Sequence, residues 1–321
     1  MKKNKICLII PYFGKLPSYS NLFFESVKFN PDVDFLLLTD DTVNVNLQNL
    51  KVVNTTLEKV RDRAQTLFDF KIELTQAYKL CDFRPAYGLI FKEYLEGYKF
   101  WGHCDLDMVF GNIKHFITDD MLDQYDKIYQ FGHLSLYKNV DKVNNEFREN
   151  FGMNYRKVFS TKINMVFDEI GGIQQKFNHD GFKTYKSWDF FDIDPWHYHI
   201  KRVTSHVPAA LLVGGFDYES ECLYWENGHV YRVAQTSDGL RKDEFIYAHF
   251  QKRSFSTPID VIKTDSFYLS NNGCIAKNSD LVSSDKIVLY NQSSKVKELC
   301  VSYSKFKYIW KRRFNKYLLK K

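Results

Sequence analysis

The sequence predicts an α/β fold with a mainly parallel sheet of the Rossmann type and helices on both of its faces. Over roughly the first 140 residues, short apolar runs alternate with segments of helical periodicity, which is the order of parallel strands joined by helices. Several apolar runs end in polar residues, as expected where a parallel sheet carries a ligand at the carboxyl ends of its strands. With 321 residues, of which 44% are hydrophobic, the chain is long enough to bury a sizeable core.

The individual elements follow from local patterns. Continuous apolar runs and strand-forming residues predict strands over 6–10, 33–41, 50–56, 98–106 and part of 125–139. Helical periodicity predicts helices over 18–29, 57–79 and 84–95. Farther along, the dipeptide Asn227-Gly228 lies between two alternating segments within 222–233, which predicts a hairpin with a type I′ turn.

Charge and apolar runs exclude several classes of protein. The formal charge is +6, but eight Lys or Arg and no acidic residue fall after residue 300, so the rest of the chain is nearly neutral and nucleic-acid binding is not expected. The N-terminal apolar run stops at Pro11, too short for a signal peptide, and no run of about 18 apolar residues occurs. Six cysteines without CxxC spacing indicate reduced thiols. We therefore expect a cytoplasmic protein.

The segment "FWGHCDLDMVFGN" (100–112) carries the most informative pair, Asp105 and Asp107, at the end of a predicted buried strand. Side chains two residues apart on a strand point to the same face, so the two carboxylates would converge. Their repulsion is relieved by a cation, and a hard divalent metal prefers oxygen ligands. The alternative is a pair of strand-end carboxylates that cap a helix or face solvent.

The segment "HCDLDMVFG" (103–111), preceded by "KLCDFRPAYGLIF" (79–91), resembles the nucleotide-sugar-dependent glycosyltransferases of the GT-A fold. In that family a helix start containing Lys, Asp and Arg precedes the D-x-D strand, and Lys79, Asp82 and Arg84 match it. The resemblance covers about residues 5–253. It implies a donor site that includes these three residues and Asp105.

A second segment, "YAHFQKR" (247–253), resembles the late histidine motif of family 8 glycosyltransferases. It implies that His249 joins Asp105 and Asp107 around Mn²⁺ or Mg²⁺, and that Lys252 or Arg253 contacts the diphosphate. The expected glycine and the Pro-Trp after the lysine are absent, so the register of the basic contact stays open. A packed histidine between two aromatic residues is the alternative for His249.

Further candidates complete the predicted site. They are Pro11, Tyr12, Asp40 and Asp41 for the nucleotide, His133 for the donor sugar, Asp168 and Glu169 as acceptor base, and Asp192, Asp194 and Trp196 for the acceptor. A base is needed only if the reaction inverts configuration. The alternative for the nucleotide candidates is that they are ordinary turn residues. The alternative for Asp168 and Glu169 is a pair of carboxylates that face solvent. Asp192, Asp194, His197 and His199 also leave a second metal site open.

The sequence therefore predicts a metal-dependent glycosyltransferase of bacterial surface-polysaccharide assembly that takes a sugar from a UDP-sugar to a glycan or lipid-linked acceptor. We expect a catalytic domain over 1–254, with a nucleotide-binding half (1–112) and an acceptor half (113–254), then an extension over 255–302. Residues 303–321 read as a basic amphipathic helix, which favours attachment to anionic lipid on the inner face of the membrane. The alternatives are a packed terminal helix, a nucleotidyl- or phosphotransferase, and a non-catalytic carbohydrate-binding protein.

Overall fold

The computed structural model describes residues 4–212, 216, 218, 220–251, 253, 256–271, 273–277, 287, 291 and 294–318. The strands of these residues are β1 (Ile6–Tyr12), β2 (Val33–Thr39), β3 (Leu50–Asn54), β4 (Phe100–Cys104), β5 (Met108–Phe110), β6 (Lys127–Phe131), β7 (Leu134–Lys138), β8 (Thr184–Tyr185), β9 (Phe191–Asp192), β10 (Glu221–Glu226), β11 (His229–Thr236), β12 (Gly239–Phe245), β13 (Tyr247–His249), β14 (Ser266–Ser270) and β15 (Gly273–Ala276).

Helices lie between the strands and after them. The α-helices span Ser20–Lys28, Leu57–Gln65, Leu80–Phe83, Tyr87–Ile90, Ile113–Phe116, Asp119–Gln124, Asp141–Asn145, Tyr155–Phe159, Ile173–His179, Ala209–Leu212, Ile259–Ile262 and Lys295–Leu318. Short 3₁₀ turns span Ala77–Lys79, Arg84–Ala86, Lys92–Tyr94 and Glu146–Arg148. The chain forms two compact units: one comprises residues up to 20, 26–106 and 113–187, and the other comprises 21–25, 107–112 and residues from 188 onward.

The first unit contains a seven-stranded sheet in the order β3-β2-β1-β4-β7-β6-β8. β1 pairs in parallel with β2 and β4, β2 with β3, and β6 with β8, whereas β7 is antiparallel to β4 and β6. The predicted α/β fold with a mainly parallel sheet is therefore confirmed. Near-continuous apolar runs in β1 and β2 suit strands that are buried on both faces.

Two predicted helices of this unit are wrong in extent. The helix that begins at Leu57 ends at Gln65, because the Gln65 side chain bonds the backbone of the next turn: its amide donates to the carbonyls of Phe68 and Phe70 and its oxygen accepts from the Ile72 N–H at 3.0 Å. The predicted helix over 84–95 is instead divided into a 3₁₀ turn, one turn of α-helix (Tyr87–Ile90) and a second 3₁₀ turn, each three or four residues long.

The second unit contains a five-stranded antiparallel sheet, β12-β11-β10-β14-β15, and a three-stranded sheet, β5-β13-β9. The predicted hairpin is confirmed, since Asn227 (φ 48°) and Gly228 (φ 82°) both have the positive φ that a type I′ turn requires. The C-terminal helix, Lys295–Leu318, begins ahead of the predicted tail at 303. Among the described residues, no helix is both long and apolar enough to cross a membrane.

Candidate active site

The two aspartates lie between strands. β4 ends at Cys104 and β5 begins at Met108, so the expectation that Asp105 and Asp107 share one face of a strand is wrong. In the first unit the Asp105 N–H donates to the His133 carbonyl at 3.1 Å, and in the second unit the Asp107 carbonyl accepts from the Phe250 N–H at 2.8 Å. The backbone bends here because each residue continues the hydrogen bonding of a different unit.

Arg84 organises the carboxylates of the first unit. Its guanidinium donates to Asp168 Oδ2 at 2.7 Å and to the Gly132 carbonyl at 2.8 Å, and it forms an ion pair with Asp105. Burial works against the charged form, but Asp105 and Asp168 hold the pKa of Arg84 well above its usual value. This centre joins two residues predicted from different motifs, Arg84 and Asp168.

Asp168 and Glu169 have different surroundings. Asp168 is buried and engaged with Arg84, whereas Glu169 is partly exposed and accepts a hydrogen bond from the Gly132 N–H. Burial raises the pKa of Glu169 to about 7, and the neighbouring Asp168 charge adds to the shift. Burial also raises the pKa of Asp168, but Arg84 opposes that shift, so we expect a proton to reside on Glu169 first. Glu169 is thus the better candidate for a base that exchanges a proton with an acceptor hydroxyl.

Gly132 is required at this centre by close packing. A Cβ atom at residue 132 would lie 2.5 Å from Asp168 Oδ2, 2.8 Å from Glu169 Oε1 and 3.0 Å from the Arg84 guanidinium. Only glycine allows the backbone to approach both carboxylates and the cation at once.

Lys79 and Asp82, predicted to take part in donor binding, form a buried ion pair, and their contact with a donor stays a prediction. The Lys79 ammonium is buried and uses its three donors on Asp82 at 2.7 Å and on the carbonyls of Val158 and Ile163. Asp82 in turn accepts from the N–H groups of Met165 and Phe167, at 2.8 and 2.9 Å. The pair therefore fixes the segment that leads into Asp168, and its polar atoms are directed into the protein.

Lys127 was missed by the sequence interpretation. Its ammonium is fully buried and bonds Gln174 Oε1 at 2.9 Å, Ser135 Oγ at 3.3 Å and the Tyr129 carbonyl. Burial lowers the pKa of Lys127 to about 7, with the Glu169 charge opposing the shift. The sequence did not indicate that this lysine is buried, because a lysine at the start of a strand is normally exposed.

The nucleotide candidates lie at the carboxyl ends of β1 and β2. Pro11 and Tyr12 end β1, while Asp40 Oδ1 accepts from the Gly14 N–H at 2.7 Å and Asp41 Oδ2 from the Leu16 N–H at 2.8 Å. These backbone bonds lower the pKa of Asp41. Both aspartates therefore order the loop that follows β1, and Gly14 (φ 101°) supplies the turn that a residue with a side chain rarely adopts.

The donor-sugar candidate, His133, is buried at the end of the β6–β7 turn, directly before β7. Its ring stacks on Phe131 with centroids 5.3 Å apart. Its contact with a donor sugar stays a prediction.

In the second unit, His249 lies between two carboxylates. On β13 it is in register with Asp192 of β9, and its Nδ1 is 2.8 Å from Asp192 Oδ1 while its Nε2 is 3.4 Å from Asp107 Oδ1. Burial disfavours the charged imidazole, but Asp107 and Asp192 together hold the pKa of His249 well above its ordinary value. A metal-ligating histidine usually donates its other ring N–H to a carboxylate, and Asp192 lies in that position behind Nδ1 while Nε2 is directed at Asp107. The donor set of Asp107 and His249 therefore fits a divalent ion.

Asp192, predicted to contact the acceptor, holds His249. Its Oδ1 accepts from His249 and, at 2.8 Å, from the Gln251 side-chain amide, so it orients the histidine. Its contact with an acceptor stays a prediction. The sequence could have indicated this partnership only through β9, whose two residues are too few to give a strand pattern.

Two more candidates have contacts within the protein. The Arg253 guanidinium donates through its two terminal nitrogens to the carbonyls of Asp194, His197, Tyr198 and His199. The Trp196 ring packs 5.2 Å from Tyr308 of the C-terminal helix. Contact of Arg253 with a diphosphate and of Trp196 with a sugar stay predictions. Asp194 Oδ1 accepts from the Trp196 N–H at 2.7 Å and shapes the same loop. Lys252 lies outside the described residues.

Comparison with known families gives one match over most of the chain. A family model described as a family of unknown function, DUF6625, matches residues 8–278. The chain belongs to the DUF6625 family. No curated protein matches it.

Three solved structures similar to this DUF6625 member are glycosyltransferases. The galactosyltransferase LgtC in complex with donor and acceptor sugar analogs matches at 10% identity and a TM-score of 0.33, over 58% of this chain and 75% of that one. An active-site mutant of LgtC matches at 8% identity and a TM-score of 0.39, over 80% of this chain and 94% of that one. A glycosyltransferase involved in the glycosylation of the major capsid of PBCV-1 matches at 10% identity and a TM-score of 0.31, over 60% of this chain and 83% of that one. At these identities the likeness concerns the fold alone.

Proposed function

We propose that this protein is a metal-dependent glycosyltransferase that takes a sugar from a nucleoside-diphosphate sugar, a UDP-sugar in the first instance. The observation that carries the proposal is His249, held by Asp192 and directed at Asp107 of the D-x-D segment. We assign Asp105, the first aspartate of that segment, to contact with the donor ribose. When bound there, Mn²⁺ or Mg²⁺ neutralises charge on the departing diphosphate.

The residues of the first unit support the acceptor half of the reaction. In an inverting transfer the Glu169 carboxylate takes the proton of an acceptor hydroxyl, whose oxygen forms the new bond to the anomeric carbon. The bond from that carbon to the diphosphate oxygen breaks, and the diphosphate keeps its electron pair. Arg84 holds Asp168 in place, and burial together with the neighbouring Asp168 charge raises the pKa of Glu169 to about 7, close to the working pH of a general base.

Donor binding tests the metal centre directly. UDP-, GDP- and CDP-sugars are screened for an increase in melting temperature with and without Mn²⁺, and donor hydrolysis is then followed by release of the nucleoside diphosphate. We expect one class of donor to stabilise the protein only with metal, and Asp107→Ala to abolish both the stabilisation and the hydrolysis. Asp123→Ala, a change at an exposed aspartate, is the matched control.

Other outcomes distinguish the alternatives. Near-normal hydrolysis by Asp107→Ala contradicts the proposal. Release of inorganic pyrophosphate or transfer of a phosphoryl group identifies a nucleotidyl- or phosphotransferase. Binding of glycans without any nucleotide indicates a carbohydrate-binding protein.

The C-terminal helix supports a place at a membrane surface in surface-polysaccharide assembly. Val296, Leu299, Tyr303, Phe306 and Trp310 recur at helical spacing and are 60–71% exposed. The predicted apolar residues Phe314, Tyr317 and Leu318 have side chains outside those described. An exposed apolar stripe beside Lys and Arg is suited to anionic lipid, to which each cation contributes about 1 kcal/mol.

Vesicle binding tests this location. We expect the protein to sediment with anionic vesicles at low salt, less at high salt because of screening, and not with zwitterionic vesicles. Phe306→Ser with Trp310→Ser should release it, whereas Tyr78→Ser, at a tyrosine that is 74% exposed elsewhere, should not. An intact protein that ignores anionic vesicles at low salt would refute the membrane proposal.

A further inference from the structure

A second cluster of metal-ligating side chains lies within the second unit. His197 and His199 follow β9, and Glu298 belongs to the first turns of the C-terminal helix. His199 Nδ1 is 2.5 Å from Glu298 Oε1 and His197 Nδ1 is 3.8 Å from Glu298 Oε2, and one ligand atom from each residue lies within 4.8 Å of the others. We propose that these three residues bind a divalent transition-metal ion of the Zn²⁺ class, which ties the loop over 194–199 to the C-terminal helix.

The donor types separate this cluster from the Asp107 centre. Two imidazoles and one carboxylate suit Zn²⁺, Co²⁺ or Ni²⁺, whereas carboxylate-rich sets favour Mg²⁺ or Mn²⁺. Zinc–nitrogen bonds of about 2.0–2.1 Å place neighbouring ligand atoms about 3.3–3.5 Å apart in a tetrahedron. The present separations from His199 Nδ1 and His197 Nδ1 to the two Glu298 oxygens, 2.5 and 3.8 Å, lie on either side of that value, and one ligand atom from each residue lies within 4.8 Å of the others. The ion would replace the hydrogen bond that now joins His199 to Glu298.

The loop that carries both histidines is already held in place. Arg253 binds its carbonyls, and Glu298 accepts from the N–H groups of Tyr198 and His199, at 3.0 and 3.2 Å. The Asn291 side chain bonds both backbone polar groups of Ile200: its oxygen accepts from the Ile200 N–H at 2.6 Å and its amide donates to the Ile200 carbonyl at 2.8 Å. Little backbone ordering is left to oppose binding, because the protein already supplies these contacts.

A second carboxylate lies behind one ligand. Asp194 Oδ2 is 3.9 Å from His197 Nε2, on the opposite side of the ring from Glu298. This is the position from which a carboxylate orients a ligating histidine and increases its basicity. Asp194 also offsets the charge of Arg253, which would otherwise oppose a cation here.

Metal titration of the full-length, untagged protein tests the proposal. Asp107→Ala with Cys300→Ser forms the background, which weakens the other candidate centre and removes the exposed thiol. After chelator treatment and dialysis, Zn²⁺ binding is measured by calorimetry and Co²⁺ binding by visible absorption. We expect one equivalent of Zn²⁺, a higher melting temperature and a Co²⁺ spectrum of low coordination number.

Ligand variants decide the outcome. His199→Ala and His197→Ala should each weaken Zn²⁺ binding at least tenfold and remove the Co²⁺ spectrum, while His206→Ala, at an exposed histidine in the same unit, should leave both unchanged. His197→Ala leaves the hydrogen bonds of Glu298 intact and thus separates ligand loss from unfolding. Binding of no Zn²⁺ by the background protein, or unchanged binding by both histidine variants, would overturn the inference. Because the background lacks Asp107, neither result depends on the proposed transfer reaction.

Discussion

Asp192→Asn tests whether His249 is a metal ligand, because it removes a charge behind the histidine and preserves the shape of the side chain. Asp192 Oδ1 lies 2.8 Å from His249 Nδ1 and also accepts from Gln251, so the carboxylate both orients the ring and fixes which nitrogen carries hydrogen. If Nε2 ligates the ion, the substitution acts on metal affinity without removing a ligand.

The expected magnitude follows from that indirect position. Loss of a carboxylate partner of a ligating histidine typically lowers metal affinity 10- to 100-fold, which corresponds to about 1.4–2.8 kcal/mol. One effect opposes this loss: the amide also weakens the hold of a competing proton on His249, whose pKa Asp192 helps to raise. A measurement near pH 8 limits that competition, so the loss of orientation should dominate.

Calorimetric titration of Mn²⁺ in the presence of the donor nucleotide measures the change. Asp180→Asn is the matched control, because Asp180 faces His179 at 2.5 Å in an exposed pair of the first unit, whereas Asp192 belongs to the second. A Kd for Mn²⁺ that stays within twofold of the wild type in Asp192→Asn would refute the role assigned to His249, as would an equal loss in the control.

The other predictions concern the first unit. Gly132→Ala should cost about 1–3 kcal/mol of unfolding free energy and most of the turnover, since its Cβ would displace Asp168 and Glu169. Gly171→Ala is the control and should be tolerated, because its Cβ meets nothing within 4 Å. Equal turnover of the two variants would contradict this prediction. The buried Lys127 has a pKa of about 7 when folded and about 10.4 when unfolded, so the unfolded chain binds the extra proton and stability should rise between those pH values, by up to about 1.4 kcal/mol per pH unit. Denaturant melts across pH 7–10 should show that this rise is lost in Lys127→Met, and identical slopes for both proteins would count against it.

Much of the fold could be predicted because its strands are short apolar runs of characteristic length. The buried strands β1 and β2 and the Asn227-Gly228 hairpin carry local signals that tertiary contacts did not override. The helix predicted beyond Gln65 failed because one amide side chain satisfies the backbone of an irregular turn, a contact that no periodicity reveals.

Site residues were predictable by type more than by role. Arg84, Asp107, Asp168 and His249 were candidates from residue chemistry and a family resemblance, and each lies in a cluster of charged side chains. Their roles in transfer stay predictions. Lys79, Asp82 and Arg253 have the same chemistry, but their polar atoms bind the protein's own backbone. Whether a charged group faces a ligand or a carbonyl depends on how loops fold, and one sequence does not contain that information in any local pattern.

Glu169→Gln separates a catalytic carboxylate from a structural one at this centre. Burial and the Asp168 charge raise the pKa of Glu169 to about 7, so a base at this position is half ionised near neutrality and fully ionised above it. The value of kcat/KM for an inverting transfer should therefore rise with pH up to about 7 and then level off. Glu169→Gln should remove that rise and lower turnover about 10²- to 10⁴-fold, with little change in donor affinity. Asp168→Asn should instead remove one of the two carboxylates that pair with the buried Arg84 and cost stability as well as turnover, because a buried charge that loses a partner is destabilised. If Glu169→Gln retains the pH dependence and loses less than a few-fold in turnover, the acceptor hydroxyl is deprotonated elsewhere or the enzyme retains configuration and needs no base.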